Sequence, residues 1–327
     1  MKNYVPLCID QLFLQQEEIL NYPTQSQTHV QLLYEQFTQQ IAELEAHYSR
    51  TEIINMIHPL RQELRRSTFF KRLQDWPRGY QGDFETIDAI MNYKIGAPKH
   101  TLAYVFECYF MHAPIAQQHR NKVQEQYKAI VQCIQQNPAA KILSIGCGTS
   151  EDIYKASTTI KTSTAEITLL DIDADALDYS MCKLNTIKTH IHTKQGNIYK
   201  LLQQIDEVYD LILIGGVFDY VSDKFMMNIL KKLYTRNLCN TGALLFTNIA
   251  DNNPFKISLE YFFDWFLIER SKNDILRIIT ACGIDATALH IKKEAMQLSY
   301  IVHLYKHHIC KKTPIREREG VLADILI

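Results

Sequence analysis

The 327-residue sequence has no CxxC pair and no His/Cys cluster at zinc-ligand spacing, which excludes a structural zinc or a dithiol redox centre as its organising chemistry. Its eight cysteines, Cys8, Cys108, Cys133, Cys147, Cys182, Cys239, Cys282 and Cys310, mostly stand in apolar runs. They read as buried thiols of a reducing compartment. No uninterrupted apolar stretch approaches the roughly 18 residues of a spanning helix, and Met1 to Pro6 lack the apolar core of a signal peptide. Membrane insertion is therefore not expected, and a cytoplasmic location is. An excess of one charge is missing too: 35 basic against 36 acidic residues leave a formal net charge of −1, so nothing favours nucleic acid or an anionic membrane as a partner. Neither an internal repeat nor a low-complexity segment appears. What remains is an ordinary globular composition, 46% apolar and 22% charged, in a chain long enough for one large domain and a smaller one.

The most informative stretch runs from Lys141 to Glu151, a short apolar run that breaks into the paired-glycine turn Gly146-Cys147-Gly148. A second apolar run, Ile167 to Leu170, ends in Asp171, 23 residues beyond Gly148. A carboxylate only accepts hydrogen bonds, so at the tip of a parallel strand it suits the two adjacent hydroxyls of a ribose. The rest of the loop narrows the ligand. A dinucleotide site keeps its helix N-terminus free for a diphosphate, but Glu151 and Asp152 occupy this one and repel phosphate. A ligand with an amino acid moiety and a positive sulfur fits better, which points to S-adenosylmethionine rather than NAD.

Apolar residues at helical spacing, such as Leu32, Leu33, Phe37, Ile41 and Leu44, predict helices over residues 8–75. Pro77, Gly79 and Gly82 then interrupt the pattern. A helix over 117–136 leads into strands at 141–145, 166–170, 190–192, 209–214 and 243–248, with helices from 151, near 174–184 and at 222–234. Segments 286–291 and 299–305 read as a closing pair of strands. This alternation predicts an α/β chain with a Rossmann-like, mostly parallel sheet and an N-terminal helical domain. The expected division is a helical domain over 1–125, a Rossmann-like domain over 126–310 and a charged tail over 311–327.

In such a sheet the ligand lies beyond the carboxyl ends of the strands, where strand order reverses. The rule gathers Gly146, Cys147 and Gly148 with Asp171 and Ile172, Asn197 and Ile198, and Gly215 and Gly216 as cofactor-binding candidates. Asn197 can read the polar edge of adenine while Ile172 or Ile198 packs on its face. Asp219 and Tyr220, just past the fourth strand, face the acceptor: Tyr220 to orient it, Asp219 to accept a proton. Arg78 is a forked donor suited to a carboxylate, with Tyr80 and Asp83 close by as further catalytic candidates. Asp173 and Asp175 read as helix caps outside the site. Glu260, Asp264, Trp265 and Arg270 are expected on one amphipathic, aromatic helix, where Trp265 with Phe262, Phe263 and Phe266 reads as core or pocket lining, and His112 and His119 read as surface residues. No metal is implied.

Residues 125–305 together resemble the class I S-adenosylmethionine-dependent methyltransferases. Over about residues 58–275, the segments Pro77 to Asp83, Gly216 to Tyr220, and Asn253-Pro254 followed by Glu260, Asp264-Trp265 and Arg270 are similar to a bacterial subfamily that makes 3-hydroxypalmitic acid methyl ester. Two positions depart from the superfamily pattern: Ser150 stands at its third glycine and Asn197 at its adenine-site acid.

The resemblance implies methyl transfer to a small-molecule nucleophile, with the carboxylate of a hydroxy fatty acid as the candidate. Such an acceptor is already ionised at neutral pH, so positioning supplies the rate and no strong base is needed. An alternative reaction on the same cofactor is cyclisation with loss of methylthioadenosine, as in azetidine-2-carboxylate synthases, and a third reading is a non-catalytic S-adenosylmethionine-binding module.

Overall fold

The computed structural model describes residues 23–306; the expected helix over 8–22, Cys8, Cys310 and the tail over 311–327 lie outside them. Six helices, α1 (Pro23–Leu44), α2 (Arg50–Met56), α3 (His58–Leu64), α4 (Thr68–Asp75), α5 (Phe84–Met91) and α6 (Leu102–His112), form an N-terminal layer. The long helix α7 (Pro114–Gln136) carries the chain from this layer into the sheet. Local chemistry sets the boundaries. Ser67 caps α4 by accepting from the Phe70 N–H, and Trp76 ends it in a left-handed conformation at φ 45°. After the Pro77 to Gly82 turn, Asp83 caps α5 by accepting from the Thr86 N–H.

Then follow β1 (Lys141–Ile145), α8 (Glu151–Lys155), α9 (Ser157–Lys161), β2 (Glu166–Asp171), α10 (Ala174–Lys183), β3 (Ile191–Gln195), α11 (Ile198–Leu201), β4 (Tyr209–Ile214), α12 (Asp223–Lys232), β5 (Leu238–Ile249), α13 (Lys256–Phe263), α14 (Lys272–Ala281), β6 (Leu289–Lys293) and β7 (Ser299–Tyr305). The seven strands form one sheet in the order β3-β2-β1-β4-β5-β7-β6. The first five are parallel, whereas β7 runs antiparallel to both β5 and β6. This is the expected Rossmann-like architecture. Strand order reverses between β1 and β4, and their register pairs Ile145 with Ile214, so both strands end level with each other. That point is where a ligand is expected in an open parallel sheet.

The central strands are buried on both faces and read as near-continuous apolar runs, which is why their positions are legible in the sequence. The helical layer shares one apolar cluster with the end of β5 and the α13 region: Phe37, Phe70 and Phe110 join Ile249, Phe255, Phe262, Phe263 and Trp265. Burying that face ties the two halves of the chain together.

Three expectations need correction. The aromatic helix does not extend to Arg270: α13 stops at Phe263, because Asp264 adopts a left-handed conformation at φ 52°, and Trp265 and Arg270 lie in the extended segment beyond it. Arg50 and Arg61, from the helical layer, both pair with the Asp264 carboxylate and hold that break in place. The thiols are also less uniformly buried than expected, with Cys182 exposed and only Cys282 fully buried among the described cysteines. Finally, β3 and β5 are longer than expected, because ladder pairing carries them beyond their apolar cores.

Candidate active site

The loop after β1 turns through Gly146 and Gly148, at φ 63° and 51°, and its amides are drawn onto β2: the Gly146 N–H donates to the Leu170 carbonyl at 2.8 Å and the Gly148 N–H to Asp171 Oδ2 at 2.9 Å. Ser150, where the superfamily has glycine, keeps the left-handed backbone at φ 48°. Its hydroxyl donates to Ser180 Oγ, and Ser180 donates in turn to the Gly148 carbonyl at 2.8 Å, so side-chain bonds hold a conformation that glycine adopts freely. Asp171 is buried at the tip of β2, and its second oxygen accepts from the Asp173 N–H at 3.0 Å. Burial pushes its carboxyl up, and these backbone donors hold it down. A carboxylate has about four acceptor sites, so those left over can still take ribose hydroxyls. Cys147 beside it is an inert thiol, raised well above its ordinary value by burial and by the Asp171 charge.

Further along the carboxyl edge, Ile172 is 56% exposed, Ile198 is half-buried, and Asn197 is exposed, its Oδ1 accepting the Tyr199 N–H as the cap of α11. Gly215 lies against Gln126 of α7, while a Cβ on Gly216 would meet nothing within 4 Å. That open space beside the loop, together with the glycine turn and the carboxylate of Asp171, fits a nucleoside that carries an amino acid chain.

The Trp76 to Asp83 segment packs against this edge through Arg78, Tyr80 and Gly82. Arg78 reaches Asp173 at 3.0 Å and Asp175 at 2.8 Å, pairs with Glu85, and lays its guanidinium over the Phe84 ring. Tyr80 donates to Asp173 at 3.0 Å. Asp173 caps α10 as expected and also receives Arg78 and Tyr80, and Asp175 shares Arg78 with it. Arg78 and Asp83 are not each other's partners: Asp83 is buried, with both oxygens on Arg72 Nε at 3.0 and 3.1 Å. The buried Nε of Arg78 has no hydrogen-bond partner among the described residues. Gly82, at φ 62°, is set against Tyr220, and a Cβ there would fall 2.2 Å from the Tyr220 hydroxyl oxygen. No other residue fits that approach.

On the acceptor side, Tyr220 is 37% exposed and accepts from Trp265 Nε1 at 2.9 Å. Burial and the neighbouring Asp219 raise its pKa, so the hydroxyl keeps its proton. Asp219 is 4% exposed and is engaged on both oxygens: it accepts from the Ile249 N–H at 2.6 Å and faces Lys122 Nζ at 3.5 Å. Its geometry is that of a strut holding the loop. The same loop is gripped by Arg270, only 2% exposed, which donates to the carbonyls of Phe218 and Val221, to Asn248 Oδ1, each at 2.6 Å, and to Asp223.

Sequence reasoning missed one face of α7. His119, Lys122 and Gln126 recur at helical spacing and reach Trp265, Asp219 and Asp152 respectively, so this face crosses the carboxyl ends of β1 and β4. His119 is a correction: it is half-buried and stacked on the Trp265 ring, with centroids 5.9 Å apart and planes at 25°, whereas His112 is exposed as expected. The i, i+3, i+7 spacing of these polar residues was the signal available.

A family model described as a methyltransferase domain matches residues 136–273, from the end of α7 past Arg270. None of the curated proteins compared matches the chain. Among solved structures, a possible exported protein from Bordetella parapertussis is 15% identical with a TM-score of 0.58, over 80% of this chain and 98% of that one, a likeness of fold. The magnesium protoporphyrin IX methyltransferase of Synechocystis with bound SAH is 12% identical with a TM-score of 0.45, over 59% and 87%. This chain spans 46% of the structure of the citrinin polyketide synthase CMeT domain, at 14% identity over 51% of its own length and a TM-score of 0.41. The family match takes in the glycine loop, Asp171 and the loop after β4, so residues 136–273 of this chain match a methyltransferase domain.

Proposed function

We propose that the chain transfers a methyl group to a small-molecule acceptor enclosed between the strand ends and a lid formed by the Trp76 to Asp83 segment, with the carboxylate of a hydroxy fatty acid as the candidate. The observation that supports this is the packing of that segment. With Arg78 and Tyr80 anchored on Asp173, and Gly82 against Tyr220, the segment sets the aromatic side chains of Tyr220 and Trp265 beside the strand ends, which supports a small acceptor with an apolar chain.

When bound, S-adenosylmethionine supplies a methyl group made electrophilic by the positive sulfur. In this reading Asp171 takes the ribose hydroxyls, and Gly146, Cys147 and Gly148, with Gly215 and Gly216, border the amino acid chain. Ile172, Asn197 and Ile198 flank the base. Arg78, Tyr80 and Asp83 act by closing the lid, which excludes water, and Tyr220 meets the acceptor. A carboxylate nucleophile then needs orientation alone.

The competing reaction is cyclisation of the cofactor. Incubating the purified chain with labelled S-adenosylmethionine and 3-hydroxypalmitic acid, then identifying the labelled products by mass spectrometry, separates the two. Methyl transfer gives S-adenosylhomocysteine and a labelled ester. Methylthioadenosine as the product overturns the proposal in favour of cyclisation, and binding without turnover overturns it in favour of a non-catalytic module.

A further inference from the structure

We propose that the imidazole of His119, stacked on the Trp265 indole, and the hydroxyl of Tyr220, bonded to its Nε1 edge, together hold the carboxylate of the acceptor. The inference rests on the methyl-transfer reading above and deepens it by naming the acceptor atom and the residues that bind it.

The Tyr220 hydroxyl accepts its one protein hydrogen bond from Trp265 Nε1, so its own proton is left to donate outward. On the face of the same indole lies His119, whose ring nitrogens make no hydrogen bond among the described residues. A half-buried imidazole with no protein partner has its N–H free to donate to a ligand. Burial, with Lys122 and Arg120 close by on the same helix, holds its pKa well below the ordinary value, so at neutral pH the ring is uncharged and carries one N–H. Acids on the packed elements are already engaged: Asp219 with Lys122, Asp83 with Arg72, Asp88 with Lys94, and Glu294 with Asn121. His119 and Tyr220 therefore offer two neutral donors, while the nearby acids Asp219 and Asp83 already have cationic partners. Such a set orients a carboxylate without protonating it.

The step balances without a base. One carboxylate oxygen forms the bond to the methyl carbon as the carbon–sulfur bond breaks, the electron pair stays on sulfur, and no proton moves.

The test compares wild type with His119→Gln, which keeps an N–H donor, and His119→Leu, which keeps none. Palmitic and 3-hydroxypalmitic acid serve as probes. Both acids are expected to yield methyl esters, since the hydroxyl is not the nucleophile. His119→Leu is expected to raise KM for the acid about 10- to 100-fold with a smaller change in kcat, the loss of a hydrogen bond to a charged group, while His119→Gln stays within about 5-fold of wild type. A second readout needs no turnover. The His119 ring is followed by NMR pH titration with S-adenosylhomocysteine present, and its pKa is expected to rise when palmitate is added, because a neighbouring anion favours the charged ring. An unmoved titration, an unchanged KM in His119→Leu, or activity only on the hydroxylated acid with kcat abolished in both variants overturns the assignment, the last in favour of a base acting on a hydroxyl. Methylthioadenosine from wild type overturns the methyl-transfer reading itself, which is a distinguishable failure.

Discussion

Asp152 is a buried acid at the start of α8, and replacing it with asparagine is expected to stabilise the protein in a pH-dependent way. Its environment offers little to the charged form: Oδ1 accepts the Ile153 N–H at 2.9 Å, and Oδ2 faces the Gln126 amide at 3.3 Å. Burial lifts its pKa from the ordinary 3.8 to about 6. Each pKa unit is worth about 1.4 kcal/mol, so ionising this carboxyl costs the folded state about 3 kcal/mol relative to the unfolded one. The sign follows from proton counting. Between pH about 4 and 6 the native state holds a proton that the unfolded chain has released, so stability falls as pH rises through that window and is flat on either side. Asparagine mimics the protonated acid and keeps a partner for Gln126, whose amide can turn over. Urea denaturation of both proteins at pH 4, 6 and 8 isolates the effect, because other titrations cancel in the difference. The gap is expected to be near zero at pH 4 and to grow to about 3 kcal/mol by pH 8. A gap that is the same at every pH, or that favours wild type at pH 8, would refute the reasoning.

Asp171→Asn is expected to weaken S-adenosylhomocysteine binding about 10- to 100-fold by calorimetry, since a neutral amide replaces an acceptor of charge-assisted hydrogen bonds; unchanged affinity removes Asp171 from the site. In thermal shift assays S-adenosylhomocysteine is expected to raise the melting temperature and NAD to leave it unmoved, because only a ligand of the native state stabilises it. Arg78→Lys is expected to lower kcat/KM at least about 10-fold while costing under about 1 kcal/mol, because lysine keeps the charge but loses the fork that spans Asp173, Asp175 and Glu85; proportionate losses of melting temperature and activity make the segment a staple between domains instead.

What was legible in the sequence is what depends on near neighbours. The glycine turn, the acid at the tip of β2 and the alternation of strands and helices are local patterns, and each stands where its residues predict. His119 escaped notice because the chemistry of an α7 residue depends on which face that helix turns toward strand ends some hundred residues away. The helix stop at Phe263 was hidden for the same reason: the left-handed Asp264 is held by Arg50 and Arg61, partners some two hundred residues earlier. Asp173 shows a local reading that was right and incomplete. It caps α10 through the Asp175 N–H at 3.0 Å, yet a carboxylate has lone pairs to spare, and here Arg78 and Tyr80 take them.

The grip of Arg270 on the loop after β4 has a kinetic consequence. Four groups on one enclosed guanidinium, with the Ile268 N–H donating to the Asp219 carbonyl at 2.8 Å, make the acceptor wall a fixed surface. The opposite wall is fastened differently: Glu85 and Asp175, which share Arg78 with Asp173, are 45% and 68% exposed in their side chains, so salt screens those contacts. In the proposed reading the turn between α4 and α5 gates the site, and its opening rate is expected to climb with ionic strength while the wall held by Arg270 keeps its shape. Where release of product limits turnover, kcat becomes a measure of how fast Arg78 lets go.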